Sequence, residues 1–247
     1  MGGRRVLTAL ALAFAAGGAA CTVPAAAMAA SPAPGAVGAG STGTAATATR
    51  GCGQPGGVPA GAATAKMPDV DGDGHPDTLW ISSDGVHRRV GVTTTTGATF
   101  SQPIITGSPV PASALGFKVR RDTGVNVVMS DGRLATLYAA RACSLTPVIG
   151  PDGQPFKFDQ GFAGNGTGMG CVNIDRRMQL VGLLAQPDSS IVKRTVITLH
   201  GTTSAQETAT IGRSQWVHVG QRGLDLAYQI TCGQLTMQRD GVHEPQV

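Results

Sequence analysis

The chain has 247 residues and a formal net charge of +4, with 41% hydrophobic, 4% aromatic and 14% charged residues. Removal of an N-terminal segment carrying Arg4 and Arg5 would lower that charge to +2, which offers no electrostatic basis for binding nucleic acid or an anionic surface. No later apolar run is long enough for a transmembrane helix, so the composition favours a globular protein of about one domain.

Residues 1–21 are predicted to be an export signal. A pair of arginines precedes the apolar stretch Val6–Ala16, which is too short to span a bilayer. Ala19-Ala20-Cys21 follows at the distance of a lipoprotein cleavage site, although Gly18 stands where such sites usually have Leu. The sequence therefore predicts lipid attachment at Cys21, and cleavage after Ala27-Met28-Ala29 is the alternative.

Residues 22–51 are predicted to form a flexible linker. They consist almost wholly of Ala, Gly, Ser, Thr and Pro and contain no acidic residue. Such a segment cannot bury enough apolar surface to offset the entropy of ordering it. We expect it to tether an extracytoplasmic domain, residues 52–247, to the membrane or within the cell wall.

An acidic loop opens this domain and reads Asp69-Val70-Asp71-Gly72-Asp73-Gly74-His75-Pro76-Asp77. Its four aspartates, Asp69, Asp71, Asp73 and Asp77, stand at positions 1, 3, 5 and 9, and the glycines permit the turns that aim them at one centre. His75 stands at position 7, where its backbone carbonyl is the expected ligand. An all-oxygen site of this kind suits calcium, and a solvated Asp/Gly turn is the alternative.

The residues after the acidic loop exclude an EF-hand. That motif needs Glu at position 12, where this chain has Trp80, and Thr78–Ser82 reads as a strand. The loop instead resembles the D-x-D-x-D-G-x-x-D loop of FG-GAP/VCBS repeat proteins, and Gly97-Ala98-Thr99-Phe100 followed by Pro103 resembles a later part of that repeat. The resemblance implies a structural calcium ion on a hairpin of a β-propeller blade.

Four hairpins are predicted along the domain, and they begin about 45 to 55 residues apart. Two of them turn at Asp-Gly, which is a strong hairpin signal between apolar runs. The four hairpins pair Leu79–Ile81 with Val90–Thr93, Val125–Val128 with Leu134–Tyr138, Leu180–Leu183 with Val196–Leu199, and Leu224–Tyr228 with Leu235–Met237. The predicted fold is all-β, a small propeller-like array of about four hairpin units, with a β-sandwich or barrel as the alternative.

Asn173-Ile174-Asp175 begins like a second calcium loop. Arg176 and Arg177 follow where further carboxylates would be needed, so we interpret this site as lost. The glycine-rich run at 164–170 is predicted to be a flexible loop between units, because no helix that could complete a phosphate-binding loop follows it.

Four cysteines remain if Cys21 carries lipid, and an even number in an exported chain predicts two disulfides. They are Cys52, Cys143, Cys171 and Cys232. Of the three possible pairings we expect Cys143–Cys171 and Cys52–Cys232, the second of which would join the two ends of the domain.

No catalytic constellation is visible in the sequence. The five histidines are dispersed, and His200 and His218 read as strand residues. We therefore expect a calcium-stabilised binding module at the cell surface whose partner is a protein or a cell-envelope glycan, with the membrane reached only through the lipid anchor. The alternative is a secreted hydrolase, which would need a carboxylate pair such as Asp122 and Asp159 in one cleft.

Overall fold

Antiparallel strands make up most of the computed structural model, which describes residues 56–186, 188–201 and 206–246. These residues belong to one compact unit, Thr47–Val247. The predicted signal peptide, the predicted linker, Cys21 and Cys52 lie outside the described residues.

The first sheet is a four-stranded meander in chain order. Its second and third strands are the first predicted hairpin, and Gly85 takes a positive φ of 87° in the Asp84-Gly85 turn between them. The strands are β1 (Ala63–Met67), β2 (Asp77–Ser83), β3 (Arg88–Thr93) and β4 (Thr99–Pro103).

The strands of the second sheet are β5 (Ser113–Phe117), β6 (Val125–Ser130), β7 (Leu134–Arg141), β8 (Ser144–Pro147), β9 (Lys157–Asp159) and β16 (Val242–His243). Strands β6 and β7 form the second predicted hairpin around Asp131-Gly132. The strand order is β16-β5-β6-β7-β8, and β9 also pairs with β7.

The third sheet is another meander in chain order and contains the third predicted hairpin. Asp175 and Arg176 have φ of 52° and 62° and form the two-residue turn between its first two strands. The segment that begins like a second calcium loop is thus a tight hairpin turn. The strands are β10 (Gly168–Ile174), β11 (Arg177–Gln186), β12 (Ile191–His200) and β13 (Thr208–His218).

The fourth predicted hairpin is wrong in its first half, because Leu224–Tyr228 is not a strand. Residues Gln221–Leu226 form helix α1, in which Leu224 is buried, and its C-cap residue Ala227, three positions later, is buried too, while Leu226 and Tyr228 stay exposed. Alternating apolar residues over so short a stretch fit both a strand and a helix turn. The remaining C-terminal elements are β14 (Thr231–Cys232), β15 (Leu235–Thr236) and α2 (Met237–Asp240).

The three sheets stack in layers, with the second sheet in the middle. All six residues of β6 are buried. Val127 and Met129 pack with Leu79 of the first sheet, whereas Val128 on the opposite face belongs to a core shared with Leu180 of the third sheet. Helix α1 covers part of the outer face of the third sheet. The structure confirms the all-β class, but it does not confirm a propeller of four blades.

The described disulfide joins Cys171 in β10 to Cys232 in β14. Both expected pairings, Cys143–Cys171 and Cys52–Cys232, are therefore wrong. The C-terminal segment returns to lie beside β10, where Ile230 bridges Met169, and sequence spacing carries no information about that return. Cys143 is also disulfide-bonded.

Candidate functional site

The acidic loop connects β1 to β2, and it leads into a strand as predicted. Gly72 and Gly74 have φ of 81° and 87°, a backbone region that favours glycine. Three of the predicted ligands, Asp69, Asp71 and Asp77, each offer a carboxylate oxygen within 4.8 Å of the others.

Backbone N–H groups of the loop hold two of these carboxylates. Asp69 accepts hydrogen bonds from the amides of Gly72 at 2.6 Å and Gly74 at 2.9 Å. Asp77 accepts one from the amide of Val70 at 2.7 Å. The loop backbone therefore curls around its own side chains and fixes their direction.

Asp73 and His75, the other two predicted site residues, lie outside the cluster of three carboxylates. One oxygen of Asp73 accepts a hydrogen bond from the His75 amide at 2.7 Å, and the other accepts one from the Thr95 hydroxyl. The Thr95 hydrogen bond is the main reason that the pKa of Asp73 lies below its ordinary value. His75 is exposed.

Sequence reasoning missed the turn between β3 and β4, which docks on the acidic loop. The Thr95 amide donates to Asp77 at 3.0 Å, and the Thr96 hydroxyl donates to Asp71 at 2.9 Å. A run of threonines immediately before Gly97 is the sequence signal that could have indicated hydroxyl donors at this turn. These hydrogen bonds therefore join the β1–β2 loop to the β3–β4 turn at one end of the first sheet.

Electrostatics at the cluster favour a cation. Asp77 is almost fully buried, and burial together with the charges of Asp71 and Asp69 raises its pKa, despite the donors Val70 and Thr95. Two carboxylates 4.8 Å apart repel by about 3 kcal/mol at an effective dielectric near 20. The donor set is entirely oxygen, with no Cys or His, and therefore fits a hard divalent cation.

The glycine-rich run is not a phosphate-binding loop. The amide of Asn165 in the run and that of Ala163 just before it donate to the carboxylate of Asp159, at 2.7 and 3.1 Å. Partial burial raises the pKa of Asp159, but the donated hydrogen bonds outweigh it and hold the pKa below its ordinary value. The predicted flexible loop at 164–170 ends before residue 168, since Gly168 and Gly170 lie in β10.

A buried polar cluster that the sequence did not reveal joins the second and third sheets. Glu207, from the segment before β13, is completely buried and accepts hydrogen bonds from Asn126 at 2.8 Å and Arg141 at 2.7 Å. Burial raises the pKa of Glu207, although Arg141 and Asn126 act in the opposite direction. The backbone beside it continues the link, because the Ile149 amide donates to the Glu207 carbonyl at 3.0 Å.

The carboxylate pair considered for a hydrolase does not share a cavity. Asp122 is exposed and forms an ion pair with Arg120 at 2.9 Å, whereas Asp159 lines a cavity that does not include Asp122. His200 and His218 are confirmed as strand residues, at the ends of β12 and β13.

Comparison with known proteins gives no relative. No family model matches the chain, and neither a curated protein nor a solved structure is detectably similar to it. Among the described residues, no helix has the length and apolarity needed to cross a membrane.

Proposed function

We propose that the acidic loop binds one calcium ion, with Asp69, Asp71 and Asp77 as carboxylate ligands. The observation that carries this proposal is the convergence of three carboxylates within 4.8 Å on a backbone that curls around them. Calcium accepts such flexible, all-oxygen coordination. The resemblance of the loop to FG-GAP/VCBS repeats supports the same ion.

The calcium is structural in this proposal. The loop joins β1 to β2, and its aspartates accept hydrogen bonds from Thr95 and Thr96 in the turn between β3 and β4. An ion that neutralises these carboxylates therefore stabilises both connections at one end of the first sheet. Because it binds only the folded chain, it raises the free energy of unfolding by mass action.

Thermal unfolding with calcium and with chelator tests this role. Calcium at about 100 times its dissociation constant should contribute about 2.7 kcal/mol, which corresponds to a rise in Tm of about 5–10 °C for a domain of this size. Asp71→Asn should abolish the rise. The matched control is Asp84→Asn, in another turn of the same sheet, which should keep it; equal curves for the wild type with and without calcium would refute the proposal.

The second part of the proposed function is that of an extracytoplasmic binding module, exported by residues 1–21 and anchored through Cys21. The Cys171–Cys232 disulfide supports an oxidising compartment. Replacement of Cys21 by Ser should move the protein from the membrane fraction to the medium. Unchanged fractionation would instead support cleavage after Ala27-Met28-Ala29.

The finer architecture is proposed to be an open array of blade-like units. Support comes from the first and third sheets, which are four-stranded meanders in chain order, and from β5 to β8 of the second sheet, which form another. Face-to-face stacking of consecutive meanders is how neighbouring blades of a propeller pack. The partner of the module is proposed to be a protein or a cell-envelope glycan.

A further inference from the structure

The inner face of the third sheet, which looks toward the second sheet, is only partly covered. At its covered end Ile197 and Leu180 belong to the main core. Farther along, Thr195 pairs with Ser214 and Lys193 pairs with Trp216. Trp216 is 49% exposed. The side chains of these two pairs, Thr195 with Ser214 and Lys193 with Trp216, form an open polar and aromatic wall at this end of the sheet.

A β-bulge in β13 determines which side chains of that strand face the wall. Between the pairs Ile197–Ile211 and Thr195–Ser214, two residues of β12 advance against three of β13. The extra residue resets the alternation of β13, so that Ile211, Ser214 and Trp216 share one face. The Thr195 and Ser214 hydroxyls are 2.8 Å apart on that face, and the Lys193 ammonium lies 5.9 Å from the centre of the Trp216 ring.

The opposite wall comes from β9 and the loops before and after it. Two cavities of about 490 and 350 Å³ lie here and share Phe156, Lys157 and Ile211, so they form one continuous groove. Lys193 and Thr195 of the open wall also line it, and their neighbours on β13, Ser214 and Trp216, stand at its edge. A groove of this combined volume accommodates a chain of several linked units as well as a single small molecule.

The charges along the groove balance. Lys157 and Lys193 supply two positive charges, and Asp152 and Asp159 supply two negative charges. Asp159 is already held by the Ala163 and Asn165 amides. A strongly charged ligand therefore has no electrostatic advantage here, whereas a ligand with many uncharged hydroxyl groups finds both donors and acceptors.

We propose that this groove binds a neutral oligosaccharide, with Trp216, next to Lys193 at the edge of the groove, as the surface on which a sugar ring stacks. A sugar ring has an apolar C–H face that packs on an indole and a rim of hydroxyls that hydrogen-bond to groups such as Thr195, Ser214 and Lys193. The inference rests on the proposed binding role of the module and specifies its partner. It is independent of the calcium ion, which belongs to the first sheet.

Intrinsic fluorescence provides a direct test, because the chain has two tryptophans and Trp80 is buried whereas Trp216 is exposed. The full-length protein is titrated in parallel with cellohexaose, chitohexaose and maltohexaose. We expect at least one of them to change the Trp216 emission in a saturable manner, with an affinity that stays the same when the salt concentration is raised. Absence of saturable binding of all three would overturn the proposal.

Variants show whether the groove is the binding site. By calorimetry, Trp216→Ala should weaken binding about tenfold or more, and Lys193→Gln should weaken it by a smaller factor. The matched control is Tyr228→Ala, since Tyr228 is also 49% exposed but lines a separate cavity. Equal loss in the Trp216 and Tyr228 variants would refute the assignment. A wild type that binds sugar but is not stabilised by calcium would refute only the metal proposal.

Discussion

Replacement of Glu207 by Ala should be among the most destabilising single changes in the domain. The Glu207 carboxylate is fully buried, and the Arg141 side chain that forms an ion pair with it is only 9% exposed. Removal of Glu207 takes the carboxylate away from the buried Arg141 guanidinium and leaves Asn126 with the Tyr138 carbonyl as its remaining acceptor. Breaking a buried pair in this way costs about 3–5 kcal/mol, or a fall in Tm of about 6–20 °C.

Urea unfolding of the wild type and the variant measures this cost, and a double-mutant cycle with Arg141→Ala separates the pair energy from lost packing. The control is Asp175→Ala, which breaks the exposed pair with Arg213, whose side chains are 78% and 66% exposed. That change should cost about 0–1 kcal/mol. A cost below 1 kcal/mol for Glu207→Ala would refute the view that this cluster holds the second and third sheets together.

The same residue gives a pH dependence with a definite sign. Because the pKa of folded Glu207 is raised above its ordinary value of 4.5, the folded chain binds the proton more tightly than the unfolded chain. Stability from this group is therefore present below about pH 4.5 and is lost as pH rises through the folded pKa. As pH rises through that window, the free energy of unfolding of the wild type should fall relative to that of Glu207→Gln. A rise instead would contradict the raised pKa of Glu207.

Two further predictions concern packing and cross-linking. Gly91→Ala should cost about 1–3 kcal/mol in urea unfolding, because its new Cβ would collide with the Trp80 ring, whereas Gly107→Ala adds a Cβ in open space and should be nearly neutral. Replacement of Cys171 and Cys232 together by Ala should cost about 2–5 kcal/mol by the same measurement, since their bridge spans 61 residues. A cost below 1 kcal/mol for Gly91→Ala would contradict the close contact with Trp80, and a cost below 1 kcal/mol for the cysteine variant would contradict the stabilising role of the disulfide.

Local patterns in the sequence were sufficient for the first three hairpins and for the backbone turns of the acidic loop. The Asp-Gly turns at Asp84 and Asp131 and the apolar runs around them specify neighbouring strands through short-range geometry. The acidic loop is likewise local: its glycines take positive φ and the carboxylates of Asp69, Asp71 and Asp77 converge, as the spacing predicts. Asp73 lies outside this cluster, and one of its oxygens accepts a hydrogen bond from Thr95, 22 residues away.

Long-range partners could not be predicted from the sequence. Glu207 meets Asn126 and Arg141 across 81 and 66 residues, and nothing near Glu207 in the sequence distinguishes it from a surface carboxylate. The Cys171–Cys232 pairing depends on a C-terminal segment that packs back on β10. The alternating apolar residues around Leu224 fit both a strand and a turn of helix. Packing of Leu224 against the third sheet favours the helix, and this contact cannot be read from the local sequence.

Calorimetric titration of calcium into the chelator-treated, full-length protein measures directly whether the acidic loop binds the ion. We expect one binding site per chain, lost in Asp71→Asn and retained in Asp84→Asn. An absence of binding heat in the wild type, or the same isotherm for wild type and Asp71→Asn, would contradict it.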